Sequence, residues 1–546
     1  MAQSKQHEAE SIKISKNVDE NIKAIGDYLG NSADLIKRVF RFHKAKKLKV
    51  ACFFIEGLIN KQEIEKAINR IIHWADSAIE DLPIPALAEK IESSVLINTA
   101  VSTTDELEKV INMILAGETV LFFDGSEECI IISTREWASR SVDEPQTEQV
   151  VRGPRDGFIE SLRINTALVR RRIRDPSLRI EAMTVGSKSK TDVNIVYLEN
   201  TAKKSLVKEV KNRIDQIEID AILDSGYIEE LIEDAPFSPF TTVQSTERPD
   251  KVASAIYEGK VAIFVDNSPF VLVVPSYFWQ FLQASDDYYL RYLTGSFDRL
   301  VRLMALVISL TLPSVYVMLV SFHQEMIPTP LALTIASGRD VNPFPVLVEA
   351  LLMEFAFELM REAGLRMPKP IGQAVSIVGS LVIGQAAVQA GLVSPFMVII
   401  VAITGISSFA IPNYSASFSI RLIRFVILIA SGTMGLLGFA TSFVFFAIHA
   451  MSLRSFGESY LAPATPFKPS DQKDFLFRVP YWAMKSQPDL AKGQEDRLGE
   501  EQMPRPDNKQ TPNQLFKDKN QEQTNSNGKV KIHRHSKKMR GEKDEK

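Results

Sequence analysis

The chain has 546 residues with 64 Lys and Arg against 67 Asp and Glu, a net charge of −3, and two cysteines. Such a length asks for several domains, the near balance of charge gives no pointer to nucleic acid, and two cysteines exclude a disulfide-stapled scaffold. The near-zero mean hydropathy averages two unlike parts: charged residues are dense before Leu300, whereas residues 303–321, 370–420 and 425–453 carry none.

Residues 1–28 read as a polar N-terminal segment. Met1 to Asn17 has no apolar core, so no cleavable signal peptide is expected, and the first apolar helix near 303 directs insertion and leaves the soluble part on the cytoplasmic side. Residues 29–142 and 143–283 read as two α/β subdomains related by duplication. Asn31 to Val39 is echoed by Asn165 to Ile173, Val50 to Glu56 by Val193 to Glu199, and Gly117 to Ser126 by Gly259 to Ser268. The second pair are apolar, β-branched and aromatic runs of strand type. Asp124-Gly125 and Asp266-Asn267 sit between two such runs and suit the positive φ of a hairpin turn, leading into Cys129 to Ser133 and Val271 to Pro275. Cys52 and Cys129, both in these runs, are expected to be buried thiols. Twin lobes of this kind either hold a ligand between them or serve as an assembly platform.

A basic run joins the repeats, with Arg152, Arg155, Arg163, Arg170, Arg171, Arg172, Arg174 and Arg179. Asp156, Glu160, Asp175 and Glu181 interleave with the arginines and no aromatic platform accompanies them, which favours a polar interface over a nucleic-acid surface. Arg152, Arg155, Glu160, Arg170, Arg171 and Arg172 are its candidate subunit-interface residues.

Residues 284–302 form a coupling segment, and residues 303–453 an α-helical membrane region. Leu303 to Ser321 is long and apolar enough to cross ~30 Å of hydrocarbon, is interrupted by Pro313, and is preceded by Arg299 and Arg302. In Pro343 to Arg361 the carboxylates Glu349, Glu354 and Glu358 break an otherwise apolar helix. A carboxylate in lipid costs several kcal/mol, so these face water, a partner or a cavity; the helix either lines a vestibule or lies in the interface. Pro370 to Leu392 mixes small residues, suited to close helix packing, with Gln373, Gln385 and Gln389, whose amides suit an ion path. The candidate ion path is therefore Glu349, Glu354, Glu358, Gln373, Gln385 and Gln389. Ser394 to Ile411 is a further span, Arg421 and Arg424 mark the cytoplasmic start of the last, and Phe425 to Leu453 is that last span, with Ser431, Gly432, Gly435 and Gly438 allowing a break. Four crossings with an interfacial Pro343 to Arg361 helix keep both ends inside; five put the lysine-rich end outside. Residues 454–546 read as a polar, largely disordered tail, and Lys529 to Lys546 has eight basic against three acidic residues.

RGPRDGFIESLRINTALVRRRIRDPSL followed by VGSKSKTDVNIVYLE, and PFPVLVEALLMEFAFELMREAGLRMPKPIGQAVSIVGSLVIGQAAVQAGLVSP, resemble the A subunits of the GerA family of spore germinant receptors over roughly residues 30 to 480. The resemblance implies a multi-pass subunit in the inner membrane of the spore, working with a transporter-like B subunit and a lipoprotein C subunit and turning nutrient sensing into ion release. The expected partners are those two subunits, further copies of the same chain and the lipid bilayer, with no nucleic acid and no cofactor. No P-loop, HExxH, GxSxG or CxxC motif occurs, and the seven histidines are scattered, so an enzyme is not expected. Three functions follow: a channel-forming or transducing subunit, a nutrient sensor binding ligand between its soluble lobes, or a receptor scaffold.

Overall fold

Alternating apolar strands and amphipathic helices before residue 284 build two lobes, and the apolar segments after it build a helical region packed beneath the second. The structure, a computed structural model, describes residues 13–30, 32–41, 48–78, 101–136, 144–367, 384–469, 471–484 and 487–491. The first lobe contains α1 (Val18–Leu29), β1 (Leu35–Arg41), β2 (Lys49–Ile55), α2 (Lys61–Ala78), β3 (Val101–Thr104), α3 (Leu107–Leu115), β4 (Thr119–Phe123) and β5 (Cys129–Ile132). The second contains α4 (Leu162–Arg172), β6 (Leu178–Val185), β7 (Thr191–Leu198), α5 (Lys204–Asp215), α6 (Ser225–Ile232), β8 (Gln244–Thr246), α7 (Pro249–Tyr257), β9 (Val261–Val265) and β10 (Val271–Val274).

The sheet orders are β1-β2-β4-β5-β3 and β6-β7-β9-β10-β8, antiparallel at each paired edge, so the lobes share one topology. Both faces of each sheet are covered. Val50, Cys52 and Phe54 of β2 join one core with Ile64 and Ile71 of α2, while Ala51, Phe53 and Ile55 join the other with α1 and α3. That alternation puts Cys52 and Cys129 on opposite faces of one sheet, each fully buried.

Side-chain bonds repeat along with the topology, and they correct one sequence landmark. Asn21 accepts from Ser15 N and donates to Ser15 O, and Asn165 does the same with Ile159. Asp124 accepts from Val18 N, and Asp266 from Leu162 N. Asn165 thus matches Asn21, not Asn31: the echo of Asn31 to Val39 in Asn165 to Ile173 sets a strand against a helix, because short polar and basic runs align by chance. The other two landmarks hold, with Gly125 at φ 90° and Asn267 at φ 68° in equivalent turns. The helix Val18–Leu29, most of it in the segment read as polar, belongs to the first lobe through Val18, Ile25 and Leu29.

The lobes meet on a buried ion pair. Arg170 in α4 grips Asp34 with Nε at 2.8 Å and Nη2 at 3.0 Å, donates to Ser32 Oγ at 3.0 Å, and is 3% exposed. Ala33 N donates to Ile180 O across the same seam.

Beyond the lobes come α8 (Asp286–Tyr289), α9 (Tyr292–Phe322), α10 (Thr329–Ser337), α11 (Val346–Arg366), a short helix over 384–389, α12 (Pro395–Phe409) and α13 (Tyr414–Ser452). Two of these, α9 and α13, are long and apolar enough to cross a membrane. Glu349 meets Ser394 and Arg361 meets Ser408, so α11 and α12 run parallel. The expected long helix from Pro370 lies outside the described residues except for its end at 384–392.

The helix α13 doubles back. Gly435 has φ 60° and ψ −136°, a conformation open chiefly to glycine, and Leu436 N donates to His323 Nε2 at 3.2 Å. Ser419 bonds Thr241 and His449 bonds Ser238. Thirty residues of straight helix span about 45 Å, whereas residues 238 and 241 are at most about 11 Å apart, so the two halves are antiparallel. Both ends of the helical region therefore emerge against the second lobe.

The described residues of 453–491 pack against the second lobe instead of trailing as a tail. Phe456 enters its core with Arg213 stacked at 4.2 Å, and Ser455 Oγ donates to Thr242 O at 2.7 Å.

Replacing Arg170 with Met strands Asp34 and is expected to destabilise the purified chain by about 3–5 kcal/mol, while Arg170→Met with Asp34→Leu recovers most of the loss; thermal unfolding of the two variants checks this. Burial pushes the Cys52 and Cys129 thiols up to about 12, so neither is expected to react with iodoacetamide at pH 8 until the chain is unfolded, which mass spectrometry reads directly.

Candidate functional site

Two polar clusters hold the helical region together, and each begins with a carboxylate that its surroundings force to find a cation. The first is at the junction with the second lobe. Asp287 of α8 is fully buried and takes Arg299 Nε at 2.9 Å and Arg302 Nη2 at 2.6 Å, both from α9. These two arginines, expected to flank a helix starting at 303, lie inside α9, which starts at Tyr292. Arg299 also pairs with Asp474 at 2.7 Å, and Arg478 donates to the carbonyls of Asp287 and Leu290. Residues 474–478 thus close over the base of α9. Neither a lone Asp nor a lone Arg is tolerated here, because an unpaired buried charge costs several kcal/mol.

The second cluster lies among α11, α12 and α13. Glu354 is 1% exposed and pairs with Arg424 at 2.8 Å, and Glu358 pairs with Arg421 at 2.6 Å and Arg424 at 3.2 Å. Glu349, fully buried, accepts from Ser394 N and faces Arg339 Nε at 3.6 Å. Arg361 stacks on Phe409 at 4.5 Å and reaches Ser408 Oγ at 3.4 Å. The outward side of α11 is apolar: Phe355 is 60% exposed and Leu359 56%. This is amphipathicity turned inside out, with carboxylates inward and large hydrocarbons outward, the pattern of a helix surrounded by something as apolar as itself. Glycines make the approach possible. A Cβ on Gly405 would meet Phe357 at 2.4 Å, and one on Gly432 would meet Leu347 at 2.5 Å.

Glu349, Glu354 and Glu358 accordingly face arginines of the same chain rather than open water. A carboxylate whose charge is balanced at 2.6–2.8 Å, as for Glu358 and Glu354, has little field left for a passing cation, so in one chain these two act as ties between α11 and α13. Gln385 and Gln389 are exposed on the helix over 384–389, and Gln373 lies outside the described residues. What the sequence alone does not carry is the partnership: Arg421 and Arg424 read as flank markers, and nothing local links position 354 to position 424.

The basic run divides. Arg170 lies between the lobes, and an arginine 3% exposed cannot meet another subunit, which removes it from the interface set. Arg172 is half-buried on Asp156 at 2.6 Å. Arg155 pairs with Glu144 at 3.3 Å in the open, the Arg152 amide donates to Asp286, and Arg152, Glu160 and Arg171 are exposed.

Breaking the inner pair is expected to be expensive and nonadditive: Arg424→Gln and Glu354→Gln each destabilise the chain, by about 3–5 kcal/mol when the remaining charge is stranded, and the double variant costs clearly less than their sum. Melting temperatures in detergent that add simply would exclude the pairing.

Comparison with known proteins covers most of the chain. Residues 23–490 match the family described as Bacillus/Clostridium GerA spore germination protein. Spore germination protein KA of Bacillus subtilis (strain 168) is 43% identical over 505 residues, covering 92% of each chain. The uncharacterized membrane protein YfkQ of the same organism is 42% identical over 477 residues, 87% of this chain and 91% of its own. The crystallised N-terminal domain of the A subunit of the Bacillus megaterium spore germinant receptor GerK3 is 32% identical, with 49% of this chain and 98% of that one covered and a TM-score of 0.39.

Proposed function

The chain belongs to the GerA family of spore germination proteins, and from that premise we propose that it is the membrane subunit that turns nutrient sensing into ion release. In this reading the helical region crosses the bilayer several times, the lobes stand on the cytoplasmic side of the spore's inner membrane, and several copies surround a cation path. Transporter-like B and lipoprotein C subunits complete the receptor, with Arg152, Arg155, Glu160 and Arg171 among the groups available to them.

One observation carries the proposal. Gln385 and Gln389 are exposed on a helical region whose other outward side chains include Leu352, Phe355, Ile406 and Phe445. Two amides held against hydrocarbon leave hydrogen bonds unmade, whereas a ring of copies gives them water and one another, as uncharged groups that contact cations without trapping them. Glu354 and Glu358 contribute indirectly: their pairs with Arg424 and Arg421 tie α11 to α13.

Replacing both glutamines with Leu should reduce nutrient-triggered cation release from spores by about tenfold or more at unchanged protein level, since one such polar contact is worth about 1.4 kcal/mol or more. Normal release from the Gln385→Leu, Gln389→Leu strain would rule out this path.

A further inference from the structure

The lobe-side ends of α11, α12 and α13 form, with the second lobe, a cleft that the conduction reading does not use. Its volume is about 500 Å³. Arg361, Ser408, Phe409 and Tyr414 line it from the helices, and residues 146–150, 248, 251 and 283–285 line it from the lobe. Its level is fixed by Ser419, little more than a turn beyond Tyr414, which bonds Thr241 of the lobe. The cleft therefore sits where the helical region ends and the soluble body begins.

The charged groups of the lining are Arg248, Lys251 and Arg361 against Glu148, so cations are in excess. Three of the four are already engaged. Glu148 takes Lys251 at 2.7 Å, and Arg248 is buried on Asp250 at 2.9 Å and on the carbonyls of Glu148 and Pro154. Arg361 differs. It is half-buried, lies over the Phe409 ring, and among the described residues its hydrogen bonding is limited to the long 3.4 Å contact with Ser408 Oγ. The carboxylates beside it on α11 are taken: Glu358 by Arg421 and Arg424, Glu362 by Arg366 at 2.6 Å. Arg361, Arg421 and Arg424 thus stand against only Glu354 and Glu358, and the uncompensated guanidinium is the one on the wall of the cleft. A planar fork of donors without an acceptor is matched by an oxyanion, phosphate above all.

Away from the lobe the surface turns to hydrocarbon. Phe409, Ile406, Ile403 and Ile399 are all exposed and form one stripe of α12 at helical spacing. The stripe runs about 15 Å from the cleft, half of the ~30 Å of hydrocarbon in a bilayer and so the depth of one leaflet. We infer that the cleft and stripe together bind an anionic phospholipid, its phosphate received by the Arg361 guanidinium and one acyl chain laid along Phe409 to Ile399. The phosphate supplies the negative charge that the inner cluster lacks, and basic pockets at the cytoplasmic ends of membrane helices suit such headgroups. A lipid held there touches the lobe and α12 at once, and so braces one against the other. The inference rests on the helical region lying in a bilayer and is independent of whether the helices conduct.

The probes are phosphatidylglycerol, phosphatidylcholine and inorganic phosphate, added to the full chain in neutral detergent and read by thermal unfolding. Phosphatidylglycerol is expected to raise the melting temperature and to bind about tenfold or more tightly than phosphatidylcholine, the size of one charge-assisted hydrogen bond. Inorganic phosphate at the same concentration should give no shift, because it has no chain to lay on α12; a shift equal to the lipid's would assign the cleft to a free anion instead. Arg361→Gln strands no carboxylate, so it should fold and lose the preference between the two lipids. Arg361→Lys should retain part of that preference, and Arg366→Gln, an exposed position on the same helix, all of it. Should Arg361→Gln misfold, phosphatidylglycerol with a photoreactive acyl chain decides on the parent chain: it should label residues 399–409. Equal binding of the two lipids, parent-like preference in Arg361→Gln, or labelling confined to other helices overturns the assignment. A chain that stays dispersed in water without detergent would instead remove the bilayer premise, and this site with it.

Discussion

Asp287 is the charge on which the architecture turns. It is fully buried at the end of the second lobe, and the two arginines that neutralise it lie on the first turns of α9, so the lobe cannot be repositioned without stranding three charges. Because Arg299 also holds Asp474, the same cluster fastens the segment that returns from the far end of the helical region. Lobe, helix base and returning strap are thus one electrostatic unit. A contact of this type gives geometry more than net stability, since its desolvation cost offsets most of its Coulomb energy.

The inner cluster obeys the same rule in a different medium. Glu354 and Glu358 on α11 have no local partner; Arg424 and Arg421 supply one across more than sixty positions of sequence. The result is a helix whose polar side is dry and whose apolar side is open, with glycines at 405 and 432 admitting Phe357 and Leu347. Packing through small residues and pairing of charges do here what hydrophobic burial does in the lobes, where every residue of β2 after Lys49 is buried.

What could be read from the sequence was whatever repeats or persists locally. The change of character near Leu300, the duplicated strand pairs and their hairpin turns all survive because each is encoded in a short run whose periodicity or turn chemistry is self-contained. The failures are nonlocal. Asn165 aligns by sequence with Asn31 because its true counterpart, Asn21, is marked only by a side-chain bond to a residue six positions upstream. Arg421 and Arg424 looked like flanking charges because a helix end and a buried ion pair use the same residue. Residues 454–491 looked like tail because Phe456, Ser455 and Asp474 gain their meaning from Arg213, Thr242 and Arg299.

The reversal at Gly435 gives the helical region two attachments to a single body: α9 leaves the second lobe at Asp287, and the chain rejoins that lobe at Ser455. A region hung from one thread can only be pulled or twisted. One hung from two behaves like a stirrup: if both attachments shift together it rides along undeformed, and only a difference between them, a shear across the lobe's underside, is transmitted into the helices as bending.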